Sequence, residues 1–119
     1  MKYGWITLRV SDMDKSLAFY RDLLGFAISN EFGNGTHRYV FLGEGDNAKI
    51  ELIGTGEKID NAGNGFSVGV EVSDLDAMID KIQKNTCIPA SEPFSPNPSI
   101  RFSFVSDPDG YQVQLYENL

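Results

Sequence analysis

The stretch Val-Ser-Asp-Met-Asp at residues 10–14 returns 62 positions later as Val-Ser-Asp-Leu-Asp at residues 72–76. Each copy follows a run in which apolar and other residues alternate, and precedes a run with apolar residues every three or four positions. The first pattern is typical of a strand and the second of a helix. Asp12 and Asp74 stand where an N-cap accepts backbone N–H groups of the first helical turn. The repeat therefore predicts strand, cap and helix twice, in one structural unit that the chain uses twice.

The segments behind the two helices also match, at an offset of 63: residues 41–42 with 104–105, and 50–52 with 113–115. Turn-forming runs lie between these pairs and favour hairpins. The sequence thus predicts an α+β fold with two tandem βαβββ modules, in which curved sheets surround a cleft and helices cover the outer face. We expect one domain over residues 1–119, with modules at about 1–54 and 66–119 and a linker at 55–65. The proline-rich segment 89–98 predicts a stiff loop with at most a short edge strand.

Side chains alternate across a strand, so the apolar rows should pack on the helices while the other rows face away. An aligned polar and aromatic face opposite the helices is where a small-molecule site is expected. The strand patterns leave open which way Tyr39 and Phe41 point. The outward set is predicted to be Trp5, Thr7, Arg9, Glu51, Ile53, Ser67, Gly69, Glu71, Gln112, Gln114 and Tyr116.

The composition excludes several classes of protein. The 119 residues are 41% hydrophobic, too apolar for a disordered chain, and carry a formal charge of −7, which would repel nucleic acid. No apolar run approaches the length that crosses a membrane, and no signal segment is recognised. The one cysteine, Cys87, cannot form an internal disulfide. We therefore expect a cytoplasmic protein with no nucleic-acid or membrane partner.

Two βαβββ units, the segment 6–25 and the Asp-Pro-Asp-Gly turn at 107–110 together resemble the vicinal oxygen chelate superfamily. This superfamily includes glyoxalase I, extradiol dioxygenases and the fosfomycin- and bleomycin-resistance proteins, and the resemblance covers almost the whole chain. In its metal-using members, His and Glu on the first and last strands of each unit hold a divalent ion. These positions correspond to Trp5, Glu51, Ser67 and Gln114. An indole cannot coordinate and a neutral hydroxyl is a poor ligand, so we predict no cofactor, with a divalent metal at Glu51 and Gln114 as the alternative.

Several single residues have more than one possible role. His37, the only histidine, is either a solvated loop residue or a catalytic group that would need an oriented partner. Glu51 is either a hydrated carboxylate, a ligand for a cationic group or a general base. Trp5 either fills an interface or stacks on a planar ligand. Cys87 follows the second helix and is expected to be a packed, unreactive thiol.

The resemblance to bleomycin-resistance proteins implies a homodimeric, metal-independent protein that binds and sequesters a small organic molecule. The negative charge favours a cationic or neutral ligand, and Trp5 favours an aromatic one. One alternative is a glyoxalase-like lyase or isomerase, related to lactoylglutathione lyase, with Glu51 as base. Another is a structural or regulatory interaction domain without a ligand. The residues expected to contact a ligand are Trp5, Thr7, Arg9, Glu51, Ser67, Gln114 and Tyr116.

Overall fold

The computed structural model describes residues 1–119 as two compact units, Met1–Asp60 and Asn61–Leu119. Their boundary lies inside the segment 55–65 that the sequence marks as a linker. Each unit has the predicted βαβββ order, so the α+β fold class is confirmed. No helix is long and apolar enough to cross a membrane.

Unit 1 is a four-stranded sheet with one helical segment. Its strand order is β1-β4-β3-β2, with β1 parallel to β4 and the other pairs antiparallel. The helical segment connects β1 to β2 and packs on β4. The elements are β1 (Trp5–Val10), α1 (Met13–Leu17) with its π-helical continuation (Ala18–Leu23), β2 (Ile28–Gly33), β3 (Arg38–Leu42) and β4 (Lys49–Gly54).

Unit 2 repeats this arrangement with a regular helix. Its strand order is β5-β8-β7-β6, and β5 is parallel to β8, as β1 is to β4 in unit 1. The proline-rich segment contains only the short edge strand β6, as predicted, because proline lacks the N–H group that a central strand needs. The elements are β5 (Val68–Glu71), α2 (Leu75–Asn85), β6 (Phe94–Asn97), β7 (Ile100–Ser106) and β8 (Gln112–Asn118).

Both helices begin at the predicted caps. The Asp12 carboxylate accepts a hydrogen bond from the backbone N–H of Lys15 at 3.2 Å, and Asp74 accepts one from Ala77 at 3.0 Å. Both cap residues are extended, as an N-cap requires. The repeated Val-Ser-Asp stretch therefore has a structural role, because each copy connects a strand to the helix that follows it.

The first helix differs from the prediction in its second half. Apolar spacing predicts a buried stripe of Met13, Leu17, Tyr20 and Leu24, but Leu24 is only half-buried while Leu23 is 7% exposed. The cause is the π-helical turn, in which the N–H of Leu24 bonds the carbonyl of Phe19, five residues back, at 3.0 Å. A π-helical turn contains more residues than an α-helical turn, so the side chains after it point in a different direction. Within this segment Phe19, Tyr20 and Leu23 are the buried residues.

The cores lie between the sheets and their helices. Alternate residues of every strand except β2 and β6 are buried on the helix side, including Leu8, Val40 and Leu52 in unit 1 and Val70, Val113 and Leu115 in unit 2. The intervening residues face away from the helices, because successive side chains of a strand alternate. The opposite surface of each sheet, called here the open face, therefore carries the polar and aromatic rows.

Candidate functional site

A buried carboxylate sits in the middle of the open face of unit 1. Strand pairing places Glu51 of β4 beside Thr7 of β1 on one side and Phe41 of β3 on the other. Glu51 is 9% exposed, and its Oε1 accepts a hydrogen bond of 2.6 Å from the Thr7 hydroxyl. Hydrogen bonds to a charged oxygen are stronger than neutral ones, so Thr7 fixes the orientation of this carboxylate.

Aromatic rings lie on the same face as Glu51. Trp5 is 53% exposed and stands edge-on to Phe41, with ring centroids 5.2 Å apart. Phe32 of β2 stacks on Tyr39 at 4.8 Å and lies 6.3 Å from Phe41. We call Trp5, Phe32, Tyr39 and Phe41 the aromatic row. It offers apolar ring surface next to the charged oxygen atoms of Glu51.

The structure resolves the orientation of Tyr39 and Phe41, which the sequence leaves open. Val40 and Leu42 are fully buried on the helix side, so Tyr39 and Phe41 lie on the open face. Phe32 was missed by sequence reasoning. A register irregularity between Ile28 and Asn30 interrupts the alternation along β2, so no simple pattern indicated that Phe32 joins this face.

Arg9 is an exposed residue on the same strand as Thr7, two positions further along. Because alternate residues share a face, it belongs to the open face, where its paired neighbour is Ile53 of β4. In unit 1, therefore, four of the predicted contact residues share one face: Trp5, Thr7, Arg9 and Glu51.

Unit 2 carries the remaining predicted contact residues. Gln114 of β8 lies between Gly69 of β5 and Phe104 of β7. Tyr116 lies between Glu71 and Phe102 in the next row. Ser67 is exposed and directly precedes β5, which begins at Val68 rather than at Ser67 as the predicted strand face implies.

The open face of unit 2 is also aromatic. Phe94 and Phe102 have centroids 5.5 Å apart, and Phe102 and Phe104 also 5.5 Å. Sequence reasoning missed these three rings. The repeat offset of 63 that relates Phe41 to Phe104 also relates Tyr39 to Phe102, and that signal could have found two of them.

His37 lies in the hairpin that joins β2 and β3. It is half-buried, its ring stacks on Tyr39 with centroids 6.1 Å apart, and its Nδ1 lies 3.0 Å from the Thr36 hydroxyl. Next to it, a hydrogen bond from the guanidinium to Glu31 raises the pKa of Arg38 above its ordinary value. His37 thus has an oriented environment at the end of the aromatic row.

Cys87 is exposed, so the expectation of a packed thiol is wrong. Helix α2 ends at Asn85, and Thr86 is its extended C-cap, bonded through both its N–H and its hydroxyl to the carbonyl of Ile82. The chain leaves the helix there, so Cys87 no longer follows the buried stripe.

The donor atoms at the four positions that the resemblance assigns to metal ligands do not fit a divalent ion. Glu51 is the only carboxylate among them, and one of its oxygen atoms already accepts the Thr7 hydrogen bond. Trp5 has no lone pair to offer and Ser67 has only a neutral hydroxyl. Neither unit places three or more His, Cys, Asp or Glu side chains so that they could hold a metal ion.

Comparisons with known proteins agree on one family. Residues 2–115 match the Glyoxalase/Bleomycin resistance protein/Dioxygenase superfamily. The chain is 37% identical to a probable lactoylglutathione lyase of Synechocystis sp., over 92% of this chain and 90% of that protein. It is 34% identical to a probable lactoylglutathione lyase of Vibrio cholerae, over 93% and 86% of the two chains.

Solved structures show the same fold at lower identity. Glyoxalase I of Leishmania major superposes with a TM-score of 0.84 at 22% identity, over 98% of this chain and 86% of that one. The antibiotic-binding protein TnmS3 of Streptomyces sp. CB03234 superposes with a TM-score of 0.77 at 20% identity, over 100% and 97%. The family match and the identity to the relatives, together with the two βαβββ units, show that this chain belongs to the glyoxalase/bleomycin resistance protein/dioxygenase superfamily.

Proposed function

We propose that the protein binds and sequesters a small organic molecule without a metal ion, using the open face of unit 1. The observation that carries this proposal is the Glu51 carboxylate, 9% exposed and held by Thr7, beside the edge-on pair of Trp5 and Phe41. Rings next to a fixed acceptor are the usual elements of a small-molecule site, in which apolar surface supplies affinity and one polar group sets orientation.

The chemistry of this face favours a planar ligand that is cationic or neutral. Aromatic faces attract cations, and a carboxylate adds attraction at short range. The net charge of −7 disfavours an anionic ligand at longer range. We infer that Trp5 stacks on the ligand, that Glu51 accepts its hydrogen bond or faces its charge, and that Arg9 lines the same face.

Unit 2 carries candidate contact residues on its own open face. Gln114 presents a neutral amide beside Phe104, and Tyr116 lies next to Phe102. An amide can both donate and accept, so Gln114 suits a ligand group of mixed polarity. Ser67, exposed just before β5, offers a hydroxyl with the same versatility. We infer that Ser67, Gln114 and Tyr116 are the residues of unit 2 that contact a ligand.

We further infer a homodimer in the cytoplasm. β1 is an edge strand of its sheet, with backbone groups that a partner chain can pair. The single cysteine suits a reducing compartment. Light scattering at micromolar concentration should give twice the chain mass of 13.2 kDa. The mass of a single chain would contradict the dimer.

The test is titration of proflavine, a planar aromatic cation with its own fluorescence, in the presence of excess EDTA. We expect saturable binding that EDTA does not change. Trp5→Ala should weaken it about tenfold, because a lost aromatic contact costs about 1.5 kcal/mol. Glu51→Gln should weaken it as well, since the amide is uncharged. Tyr3→Ala is the matched control, because Tyr3 is 64% exposed but lies before β1. Unchanged affinity in Trp5→Ala and Glu51→Gln would refute the site.

A second candidate is a lactoylglutathione lyase, and the relatives with that name, 37% and 34% identical to this chain, favour it. In this function Glu51 would act as a base. The assay is lactoylglutathione formation from methylglyoxal and glutathione, with Ni²⁺ or Zn²⁺ added and with EDTA. Turnover that depends on added metal and is lost in Glu51→Gln would replace the binding proposal. Absence of turnover, together with EDTA-resistant proflavine binding, would support the binding proposal.

A further inference from the structure

The β2–β3 hairpin contains a cavity that the proposed function does not use. It is open to solvent, has a volume of about 420 Å³ and is lined by Glu31, Phe32, Thr36, His37 and Arg38, with glycine backbone between them. This volume is within the range of small-molecule sites. Only glycine fits at position 33, because a Cβ atom there would lie 2.8 Å from the carbonyl oxygen of His37. The wall therefore contains one ring, one hydroxyl, one imidazole, one guanidinium and one carboxylate.

Hydrogen bonds in the hairpin fix the identity of the Asn34 side-chain oxygen. This oxygen accepts the backbone N–H groups of Thr36 at 3.3 Å and His37 at 2.9 Å. An amide NH₂ could not accept these bonds, so the atom is Oδ1. The Thr36 hydroxyl lies 3.1 Å from the same oxygen and has one proton to donate. Two oxygens at that distance repel without a proton between them, so the Thr36 proton points to Asn34.

This arrangement selects one tautomer of His37. The Thr36 oxygen, having given its proton to Asn34, can only accept at the 3.0 Å contact with His37 Nδ1. The neutral ring must then carry its proton on Nδ1, because the partner of one ring nitrogen sets the state of the other. Nε2 is left as a hydrogen-bond acceptor. The ring itself is steadied by stacking on Tyr39.

The charges around the cavity disfavour an anionic ligand. The guanidinium of Arg38 is 2.8 Å from Glu31 and 3.5 Å from Asp14. Because two carboxylates are paired with this single cation, an anion would gain little attraction there. The wall also includes Phe32 and His37.

We propose that this hairpin cavity is a second binding site, for a neutral aromatic molecule with an O–H or N–H group that donates to His37 Nε2. Its occupant packs on Phe32 and gives one hydrogen bond to the imidazole. This second site is inferred from the hairpin geometry alone, and it does not require that a ligand binds at the Trp5–Glu51 face.

The first experiment measures the tautomer by ¹⁵N NMR. His37 is the only histidine in the chain, so its two ring nitrogens are identified without ambiguity. At pH 8, where an ordinary imidazole is neutral, we expect the proton on Nδ1. Thr36→Val should lose this preference and Thr36→Ser should keep it. A proton on Nε2 in the wild type, or no change in Thr36→Val, would overturn the proposal.

The second experiment titrates p-cresol against 4-methylanisole, which has the same ring but no donor. Ligands this small should bind in the millimolar range. We expect p-cresol to shift the His37 and Phe32 signals and to bind about tenfold more tightly, the worth of one good hydrogen bond. His37→Phe should abolish the preference while retaining a ring against Tyr39. Equal affinity for the two ligands, or shifts at Trp5 and Phe41 alone, would overturn this site and leave the proposed function untouched.

Discussion

The pairing of Thr7 with Glu51 predicts that the buried carboxylate of the open face depends on one hydrogen bond for its stability. Thr7→Val keeps the shape of the side chain but removes the hydroxyl that donates to Glu51 Oε1 at 2.6 Å. A hydrogen bond to a charged group contributes about 1.5–3 kcal/mol. Glu51 is 9% exposed, which limits replacement by water, but Thr7 is exposed and admits some. We therefore expect Thr7→Val to lower the free energy of unfolding by about 1.5–2 kcal/mol.

The double variant Thr7→Val/Glu51→Leu separates this loss from the cost of burying the carboxylate. Leucine leaves no acceptor without a partner, and as an apolar residue it can pack against Phe41, the residue of β3 that pairs with position 51. Replacing both polar partners by apolar groups is close to neutral, so the double variant should regain most of the loss, to within about 1 kcal/mol of wild type. It should nevertheless fail to bind proflavine.

Urea unfolding followed by fluorescence at pH 7 measures both variants, with the midpoint compared at equal slope. Two results would refute the reasoning. One is a Thr7→Val loss below about 0.5 kcal/mol, which would show that the carboxylate is solvated and needs no partner. The other is a double variant less stable than Thr7→Val, which would show that the carboxylate itself supports the fold.

Three further predictions concern the fold. Leu115→Ala should cost about 2–5 kcal/mol, because Leu115 is 0% exposed, whereas its neighbour Gln114→Ala on the opposite face should cost less than about 1 kcal/mol; equal losses in thermal unfolding would invert the faces. Asp74→Ala should cost about 1 kcal/mol and Asp74→Asn much less, as measured by urea unfolding, since the cap needs only an acceptor oxygen. Cys87 should react fully with Ellman's reagent in the native protein, and a thiol that reacts only in urea would contradict its exposure.

Alternation and repetition made much of this fold predictable. Leu8 and Val10 alternate with polar residues, so the buried face of β1 could be assigned before the structure was known. Capping at Asp12 and Asp74 is equally local, because the acceptor lies within three residues of the N–H group it binds. Such features depend on neighbouring residues only, and sequence reasoning recovers them for that reason.

Features that depend on pairing between distant segments were not predictable. Tyr39 and Phe41 could be oriented only when the packing of β3 beside β4 showed Val40 and Leu42 buried on the helix side. Phe32 joined the same face after an irregularity in β2 that has no sequence signature. The π-helical turn at Ala18–Leu23 likewise buries Leu23 in place of Leu24, and no residue type in the segment indicates such a turn.

The repeat places different chemical groups at equivalent backbone positions of the two units. The row Thr7–Glu51–Phe41 corresponds to the row Gly69–Gln114–Phe104, with an aromatic ring at the same end of each. A carboxylate that needs a hydroxyl partner occupies the centre of the first row, and a neutral amide beside a glycine occupies the second. The half-buried amide is uncharged and needs no hydrogen bond to stabilise a buried charge, so unit 2 needs no equivalent of Thr7. Binding of a cationic group should therefore depend on Glu51 and Thr7, whereas substitution at Gln114 should change affinity by a similar factor for charged and neutral ligands.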